Sequence, residues 1–296
     1  KSYPKNKIND YLNSIGLQIG SDYNATTGYE TTTYTMEIPT DDISKVEKGI
    51  HILSEMLGYA SLNDTSFEKE RKIVEEEWRS DLGKGKRLYE EYQKYLYKDS
   101  KFVERQPIGD MEIIRNFSYD TAKRFYYDWY RPDLMGIIAV GDFDPSYVKK
   151  IIDKYFSKLE NKNNRPLPST LLPEYNDTIF LNQSDEEQTN ILFTIRNKNK
   201  KLVLDTVRNI REKLIYDLII QIVNDRFDAL NDKGKMDYNF ALVNRFPITS
   251  KTDIFMIGGL IKENRIKEGV KSILTELEQI RQNGFIEKEL ELYKKK

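Results

Sequence analysis

The sequence predicts an α+β fold of two homologous domains, each a mainly antiparallel sheet packed with helices. Its length of 296 residues exceeds the roughly 100 to 200 residues of one typical domain. Segments with the helical hydrophobic period and segments with the strand period of two occur in both halves, in similar order. Short strings also recur at an offset of 220 residues, as in Lys48-Gly49-Ile50 and Glu268-Gly269-Val270.

The composition excludes several kinds of chemistry. No cysteine is present, so disulfides, thiol nucleophiles and cysteine-ligated metals are excluded. The single histidine, His51, cannot by itself build a site with two histidine ligands, and its place beside the apolar stripe of a helix favours a surface role. The 47 basic and 48 acidic residues give a net charge of −1, which argues against strong sequence-independent binding of nucleic acid.

The sequence predicts no membrane span. No apolar run is long enough for a membrane-spanning helix, and the first residues lack the apolar region of a signal peptide. The compartment stays open, with the bacterial periplasm and the cytoplasm both allowed. The last residues are helix-like and lysine-rich without a glycine or proline stop, which indicates a fragment of a longer chain.

The first half opens with a helix, a strand and a second helix. Apolar residues at helical spacing predict a helix over residues 8–15, closed by Gly16. Residues 31–38 alternate between polar and apolar side chains as far as Pro39, which predicts a half-exposed strand. The helical spacing then returns over residues 43–57 and predicts the second helix.

The first half continues with a long polar helix that carries a cluster of glutamates. A capping box, Thr65-x-x-Glu68, predicts its start. A further helix is predicted from Ser118 to about Arg131, then a buried strand over residues 135–141, then a helix from 145 to about 159.

A proline-rich linker divides the two predicted domains. Residues 160–177 lose the apolar period and hold three of the nine prolines. We therefore predict a first domain over residues 1–162, a linker over 163–176 and a second domain over 177–296. The elements predicted in the second domain are strands over 190–196 and 253–261, a helix from 205 and a helix over 266–281.

The repeat also predicts that the first domain is truncated at its N-terminus. The second copy has far more residues ahead of its strand at 253 than the first copy has ahead of Thr33. Roughly 45 residues are therefore expected to be missing from the front of the first copy, including the counterpart of the helix that begins at Asp205.

Residues 68–79 form the most densely charged stretch of the chain. Such runs are most often solvated helix faces with local pairs of opposite charge. Glu70 and Glu77, however, are one heptad apart and lie within about 20° of each other, with the apolar Val74 between them. An unpaired charge on such a stripe is costly, so a basic side chain or a metal ion is expected there.

Motifs along the chain resemble those of one known family. They are Ser2-Tyr3-Pro4-Lys5-Asn6, Asn13-Ser14-Ile15-Gly16, Asn24-Ala25-Thr26-Thr27, Glu70-Arg71, Ile73-Val74-x-x-Glu77-Trp78-Arg79, Pro107-Ile108-Gly109, Phe125-x-x-Asp128-Trp129-Tyr130-Arg131-Pro132 and Val140-Gly141-Asp142-Phe143-Asp144. In this order they resemble the pitrilysin, insulinase and mitochondrial processing peptidase family of zinc metallopeptidases. The resemblance spans nearly the whole chain.

The resemblance implies a zinc-dependent metalloendopeptidase that hydrolyses peptides or small proteins. It makes Glu77 a ligand of Zn2+, Glu70 a supporting residue behind that ligand, and Asn24-Ala25 a strand edge to which an extended peptide adds. The H-x-x-E-H motif of the family is absent and is expected in the missing stretch, so the fragment alone is expected to be inactive. The position opposite Glu77 in the second copy falls near Lys296, so that copy is expected to be catalytically silent.

Other interpretations of the same sequence remain. The chain also fits a non-catalytic scaffold or partner subunit of the same fold, although such a copy has no reason to keep both Glu70 and Glu77. A bare helical binding module leaves the repeat unexplained. Asn24-Ala25 also fits an ordinary turn before an exposed strand. The resemblance further implies a partner that encloses the peptide, either a second half of the same chain or a separate subunit.

Overall fold

The computed structural model describes residues 7–175, 177–234 and 236–294. The motif at residues 2–6 and the position at Lys296 lie outside the described residues. The helices are α1 (Lys7–Ser14), α2 (Ile43–Gly58), α3 (Asp64–Ser80), α4 (Lys84–Leu96), α5 (Met111–Asn116), α6 (Tyr119–Trp129), α7 (Pro145–Phe156), α8 (Val207–Asp232), α9 (Ile266–Asn283) and α10 (Glu287–Lys294). The strands are β1 (Tyr23–Thr27), β2 (Thr32–Met36), β3 (Ile191–Lys200), β4 (Tyr238–Pro247) and β5 (Thr252–Ile261).

The chain forms two compact units, and both mix helices with antiparallel strands. The first unit contains residues 1–82 and 104–169, and the second contains 83–103 and 170–296. The predicted α+β class is confirmed by this mixture. Over the described ranges, no helix is both long enough and apolar enough to cross a membrane.

The first unit is built around helix α2. One face of α2 packs with α1 and the β1–β2 hairpin, where Leu12, Leu17 and Ile52 are buried together. Another part of α2 packs on α7 through Val46 and Ile50, which meet Val148 and Ile151 of α7. The helical spacing of these apolar residues explains why the sequence predicts both helices correctly.

Two predictions for the first unit are wrong. Residues 135–141 form no strand, and Ile138 and Val140 are 89% and 91% exposed. A strand needs a neighbour for its backbone N–H and C=O groups, and no described strand pairs with this segment. Helix α3 does not begin at a Thr65 capping box either, since Asn63 caps it by accepting the N–H of Ser66 at 2.9 Å.

The second unit holds a three-stranded antiparallel sheet in the order β3–β5–β4. Helices α8 and α9 cover one face of this sheet. The buried residues of the core between helices and sheet are Val223, Phe227, Tyr238, Ala241, Val243, Ile261 and Ile273. Helix α8 begins at Val207, close to the start predicted at residue 205. Its C-terminal half enters this core, whereas Ile210 and Leu214 in its first half are 45% and 56% exposed.

Helix α4 belongs to the second unit although it precedes the linker. The guanidinium of Arg196 lies 4.2 Å from the ring centroid of Tyr92 on this helix. Arg87 pairs with Asp185 at 2.7 Å, and this pair lowers the pKa of Asp185 to about 2. The second unit is therefore built from two separate segments of the sequence.

The start of the predicted linker is fixed to the first unit. Residues 163–175 form neither helix nor strand. The buried Arg131 donates through Nη1 to the carbonyl oxygens of Asn163 and Arg165, both at 3.0 Å. The buried Asp128 accepts from the side chains of the same two residues at 2.7 and 3.0 Å. The Asp128-x-x-Arg131 motif thus anchors this segment.

Gly49 and Gly269, which the repeat places opposite each other, occupy similar positions in the structure. Both are buried within a helix that follows a β-hairpin, α2 after β1–β2 and α9 after β4–β5. A Cβ at Gly49 would lie 2.2 Å from Ile38, and one at Gly269 would lie 2.7 Å from the carbonyl oxygen of Asp237. The backbone contact requires glycine at position 269, whereas at position 49 the nearest atom is the end of the Ile38 side chain, which can shift. The homology of the two predicted domains remains a prediction that this likeness favours.

Candidate functional site

Helix α3 carries the predicted metal ligand, and aromatic contacts hold its first half in place. The ring of Phe67 stacks on Tyr119 with centroids 5.7 Å apart and meets Phe117 edge-on at 6.4 Å. The guanidinium of Arg71 lies 4.4 Å from the centroid of Phe117 and donates to the Phe117 carbonyl oxygen at 3.3 Å. One side of α3 is therefore packed at the junction of α5 and α6.

Most glutamates of α3 are paired with cations. Glu68 accepts from Arg71 at 3.1 Å and from the hydroxyl of Tyr119, and these contacts lower its pKa. Glu75 accepts from Arg115 Nε at 2.9 Å, and Glu76 accepts from Arg79. The i,i+3 pairs were readable from the sequence as ordinary helix-surface pairs. The Arg115–Glu75 pair was not, because it joins two helices 40 residues apart.

Glu70 and Glu77 differ from these neighbours. Both side chains are exposed, and over the described part of the chain neither carboxylate takes part in a hydrogen bond or ion pair. The half-buried Val74 lies between them, and α3 has no fully buried residue. The expectation that an unpaired charge on this stripe is costly is therefore wrong, because both carboxylates are exposed to water. What remains is a pair of unpaired carboxylates one heptad apart on the same face.

The described residues do not contain a complete metal site. Within 7–175, 177–234 and 236–294, no group of three His, Asp or Glu side chains is arranged to hold a metal ion. Carboxylate oxygen is nonetheless a donor that zinc accepts. The exposed, unpaired Glu77 therefore suits the role of one ligand whose companions are supplied from elsewhere.

His51 lies on α2 and packs against Tyr155 of α7. Its ring stacks on Tyr155 with centroids 4.4 Å apart, and its Nε2 lies 3.8 Å from Glu55 Oε1. The side chain is partly exposed, in line with the surface role favoured by the sequence.

The second predicted site, Asn24-Ala25, lies on β1. Among the described strands, β1 pairs with β2 alone, antiparallel and on one side, and the side chains of both residues are exposed. Asn24 is opposite Thr35, and Ala25 is opposite Tyr34. An edge strand of this kind offers backbone N–H and C=O groups to a further strand. The structure does not bring Asn24-Ala25 into contact with Glu70 or Glu77 among the interactions that it records.

A tyrosine cluster in the first unit was not singled out from the sequence. The rings of Tyr126 and Tyr130 stack with centroids 4.7 Å apart, and the Tyr130 hydroxyl lies 3.0 Å from that of Tyr34 on β2. Burial raises the pKa of Tyr34, and burial also raises that of Tyr126. The rings of Tyr59, Tyr126, Tyr127 and Tyr130 line an open cavity of about 260 Å³. The spacing of four residues between Tyr126 and Tyr130 places both on one helix face, and this spacing is the sequence signal for the cluster.

Two family models match the chain. One is described as "Insulinase (Peptidase family M16)" and matches residues 1–96. The other is described as "Peptidase M16 inactive domain" and matches residues 116–296, more than half of the chain.

Relatives with related names are much longer than this chain. It is 34% identical over 181 residues to the "Probable zinc protease PqqL" of Haemophilus influenzae, which covers 61% of this chain and 19% of that protein. It is 24% identical over 295 residues to the Escherichia coli protein of the same name, which covers 98% and 31%. The "Probable inactive metalloprotease YmfF" of Bacillus subtilis is 24% identical over 174 residues, covering 54% and 40%. The chain thus spans a fifth to two fifths of these relatives.

Solved structures share the fold. The periplasmic protease PqqL from Escherichia coli superposes with a TM-score of 0.82 at 22% identity, covering 98% of this chain and 32% of that one. The first half of the same protease gives 0.83 at 22% identity, covering 100% and 63%. Pitrilysin gives 0.69 at 17% identity, covering 98% and 31%. The α+β architecture is therefore shared along almost the whole chain.

Proposed function

Because the chain belongs to peptidase family M16, we propose that it is part of a zinc-dependent metalloendopeptidase that hydrolyses peptides or small proteins. The observation that supports this most directly is the state of Glu70 and Glu77. Three neighbouring glutamates of α3 are paired with arginines, whereas these two are exposed on one face and have no partner among the described residues. These two carboxylates are therefore available to a ligand from outside the helix.

In this proposal Glu77 is the one zinc ligand supplied by the chain, through a carboxylate oxygen. Glu70 supports it from one heptad earlier on α3, where it orients hydrogen-bonded groups around the ligands. A bound zinc ion supplies Lewis-acid polarisation of a peptide carbonyl. The remaining ligands and the general base belong to an H-x-x-E-H segment that this sequence does not contain, so this chain alone is expected to cleave nothing.

The substrate class in this proposal is a peptide in extended conformation. The free side of β1 at Asn24-Ala25 provides the backbone groups to which such a peptide pairs as an additional strand. A second half of the same chain, or a separate subunit, closes around the peptide. The solved first half of the Escherichia coli protease PqqL, with which this chain shares its fold, supports an architecture of two halves.

A non-catalytic scaffold or partner subunit of the same fold is the second candidate. The family model that matches residues 116–296 is described as an inactive domain, and one relative is named as an inactive metalloprotease. The first match, to residues 1–96, carries the description of the peptidase family instead and contains both Glu70 and Glu77. These two glutamates favour the peptidase.

The test is the zinc content of the full-length protein. We expect Glu77→Gln to abolish zinc retention after dialysis, because a neutral amide replaces a charged ligand. Glu70→Gln should weaken zinc binding about 10- to 100-fold, as loss of a supporting residue does. Glu76→Gln is the matched control, since Glu76 is exposed on the same helix turn but paired with Arg79.

Elemental analysis of the four proteins decides between the two candidates. Zinc in the unsubstituted protein and in Glu76→Gln, with none in Glu77→Gln, supports the peptidase. Undiminished zinc in Glu77→Gln contradicts the ligand assignment, and absence of zinc from all four favours the scaffold.

A further inference from the structure

The exposed edge of β1 is partly occupied by the strand's own side chain. The Oδ1 atom of Asn24 accepts a hydrogen bond from the backbone N–H of Ala25 at 2.8 Å. Asn24 is exposed on a two-stranded sheet, so no packing forces this rotamer. The bond matters because of where the Ala25 N–H points.

The pairing register shows that this N–H points away from β2. Glu37 N–H donates to the Asp22 carbonyl at 2.7 Å, and Gly28 N–H donates to the Thr31 carbonyl at 2.8 Å. Both contacts continue the β1–β2 register, so the even-numbered residues of β1 form the hydrogen-bonded rungs. Ala25 lies between two such rungs, and its N–H and C=O therefore face the open side of the strand.

The open stretch of β1 is short. The Tyr23 N–H and C=O also face outward, but they already pair with the Gln18 carbonyl at 3.3 Å and the Gly20 N–H at 2.9 Å. An added strand therefore first meets the backbone of Ala25 and then that of Thr27. The Ala25 N–H is the first outward donor that a peptide can use, and Asn24 holds it.

We propose that Asn24 controls strand addition at β1. Its side-chain carbonyl occupies the position on the Ala25 N–H that the backbone carbonyl of an added peptide takes, so the side chain must turn away before a peptide pairs. This inference rests on the proposed function, in which an extended peptide adds to β1. It makes Asn24 a competitor of the peptide for one backbone donor, the Ala25 N–H.

The second unit repeats this bond at the same offset of 220 residues. Asn244 on β4 accepts from the Arg245 N–H at 2.8 Å through its Oδ1 atom. There, however, helix α8 also covers the edge: the side chain of Asn224 pairs with both the N–H and the C=O of Val243, at 2.7 and 3.0 Å. The same asparagine hydrogen bond thus lies on an edge that a helix covers in the second unit and on an open edge in the first. Asn244 is the internal control for Asn24.

The bond itself is tested first, by amide hydrogen exchange measured with nuclear magnetic resonance on this chain. Asn24→Ala should speed exchange of the Ala25 amide about five- to ten-fold, as expected for loss of one exposed hydrogen bond. Asn244→Ala should speed exchange at Arg245 and leave Ala25 unchanged. An Ala25 amide that exchanges at the same rate with and without Asn24 overturns the proposal.

Competition with a peptide is tested on the full-length protein, with metal removed by chelation so that nothing is cleaved. The probe is a set of fluorescein-labelled casein peptides, and the readout is fluorescence anisotropy. Asn24→Ala should bind the peptides several-fold more tightly, because the competing acceptor is gone. Asn24→Asp should bind them more weakly, because a carboxylate holds the Ala25 N–H more strongly than an amide does.

The outcomes separate this inference from the function on which it rests. If the unsubstituted protein and all variants fail to bind the peptides, strand addition itself is wrong and the proposed function loses its substrate site. If the peptides bind but Asn24→Ala binds them equally or more weakly, the control by Asn24 is wrong and strand addition stands. Asn244→Ala should match the unsubstituted protein throughout, and a change there points to a site on the second unit instead.

Discussion

Asp128 shows how one buried carboxylate fixes a segment that has no regular structure. It is 7% exposed and accepts from Arg165 and Asn163, and these contacts lower its pKa. A carboxyl whose pKa falls on folding contributes stability above its unfolded value, about 4, and that contribution is lost as the pH falls through the lower folded value. The anchoring of residues 163–165 is therefore a property of neutral and mildly acidic solution.

We predict that Asp128→Asn exposes the bond after Lys162 to trypsin. The substitution removes the charge that holds Arg165, so the segment detaches more often and cleavage should rise several-fold. Limited proteolysis with mass spectrometry measures the rate. Equal cleavage rates at pH 7 would contradict the role of Asp128.

Glu70 and Glu77 mark the limit of prediction at the residue scale. Heptad spacing places two side chains on one face, which the structure bears out through their position on α3. Spacing does not reveal what covers that face, so it predicts a partly apolar stripe where the structure has exposed carboxylates. Solvent exposure depends on the neighbouring α5 and α6, whose packing on α3 involves residues far away in the sequence.

At the scale of elements, helix α8 and strand β4 illustrate an edge closed by side chains. Asn224 satisfies both backbone groups of the buried Val243, and Asn231, one heptad later, donates to the Asn239 carbonyl at 2.8 Å. Two asparagines on one face of α8 thus take the place of a neighbouring strand. The edge of β4 is protected without extending the sheet.

We predict that Asn224→Ala lowers the free energy of unfolding of the second unit by about 2–4 kcal/mol. The change leaves the N–H and C=O of Val243 without partners, and a buried unpaired group costs about 1–3 kcal/mol. Native-state hydrogen exchange of the amides in β4 and β5 measures the loss, since it reports each unit separately. Gln221→Ala, an exposed residue three positions earlier on α8, should have little effect. A loss in both variants would place the cause in the helix itself.

Two of the elements that the sequence patterns do not predict, β4 and α4, have a physical explanation. In β4 the buried residues Tyr238, Ala241 and Val243 do not alternate evenly, because a bulge between Tyr238 and Phe240 shifts the register. In α4 one of the two buried residues is Gln93, which breaks the apolar pattern of a buried face. By contrast, α2, α7, α9 and β5 show regular patterns and were predicted close to their observed bounds.

At the scale of the whole molecule, the path of the chain sets the units apart from the predicted domains. The chain passes from the first unit into the second for residues 83–103, returns, and enters the second unit again at residue 170. Hydrophobic periods cannot show such an excursion, because they describe local structure and not which core an element joins. The predicted division into 1–162, 163–176 and 177–296 therefore stays a prediction about homology, while packing follows different limits.

We predict that residues 170–296 need the segment 83–103 for full stability. Within the second unit, α4 supplies the buried Leu96, the ring of Tyr92 under Arg196, and Arg87 for Asp185. A protein made of residues 170–296 should gain thermal stability when a synthetic 83–103 peptide is added. The melting temperature should rise by several degrees with the peptide and stay unchanged with a peptide in which Tyr92 and Leu96 are alanine. No response to either peptide would show that α4 is dispensable.

The hydrogen bond between Asn24 and Ala25 has a second consequence, for the protein when no peptide is present. A strand with open backbone groups is a template for pairing with an identical strand of another copy, which is how edge-to-edge aggregation begins. Three features of β1 limit this risk. The strand is short, its Tyr23 backbone groups are paired with residues 18 and 20, and its Ala25 N–H is paired with the Asn24 side chain. In the role proposed for Asn24, the side chain that competes with a peptide also limits self-association, so peptide affinity and resistance to aggregation should depend on the same rotamer.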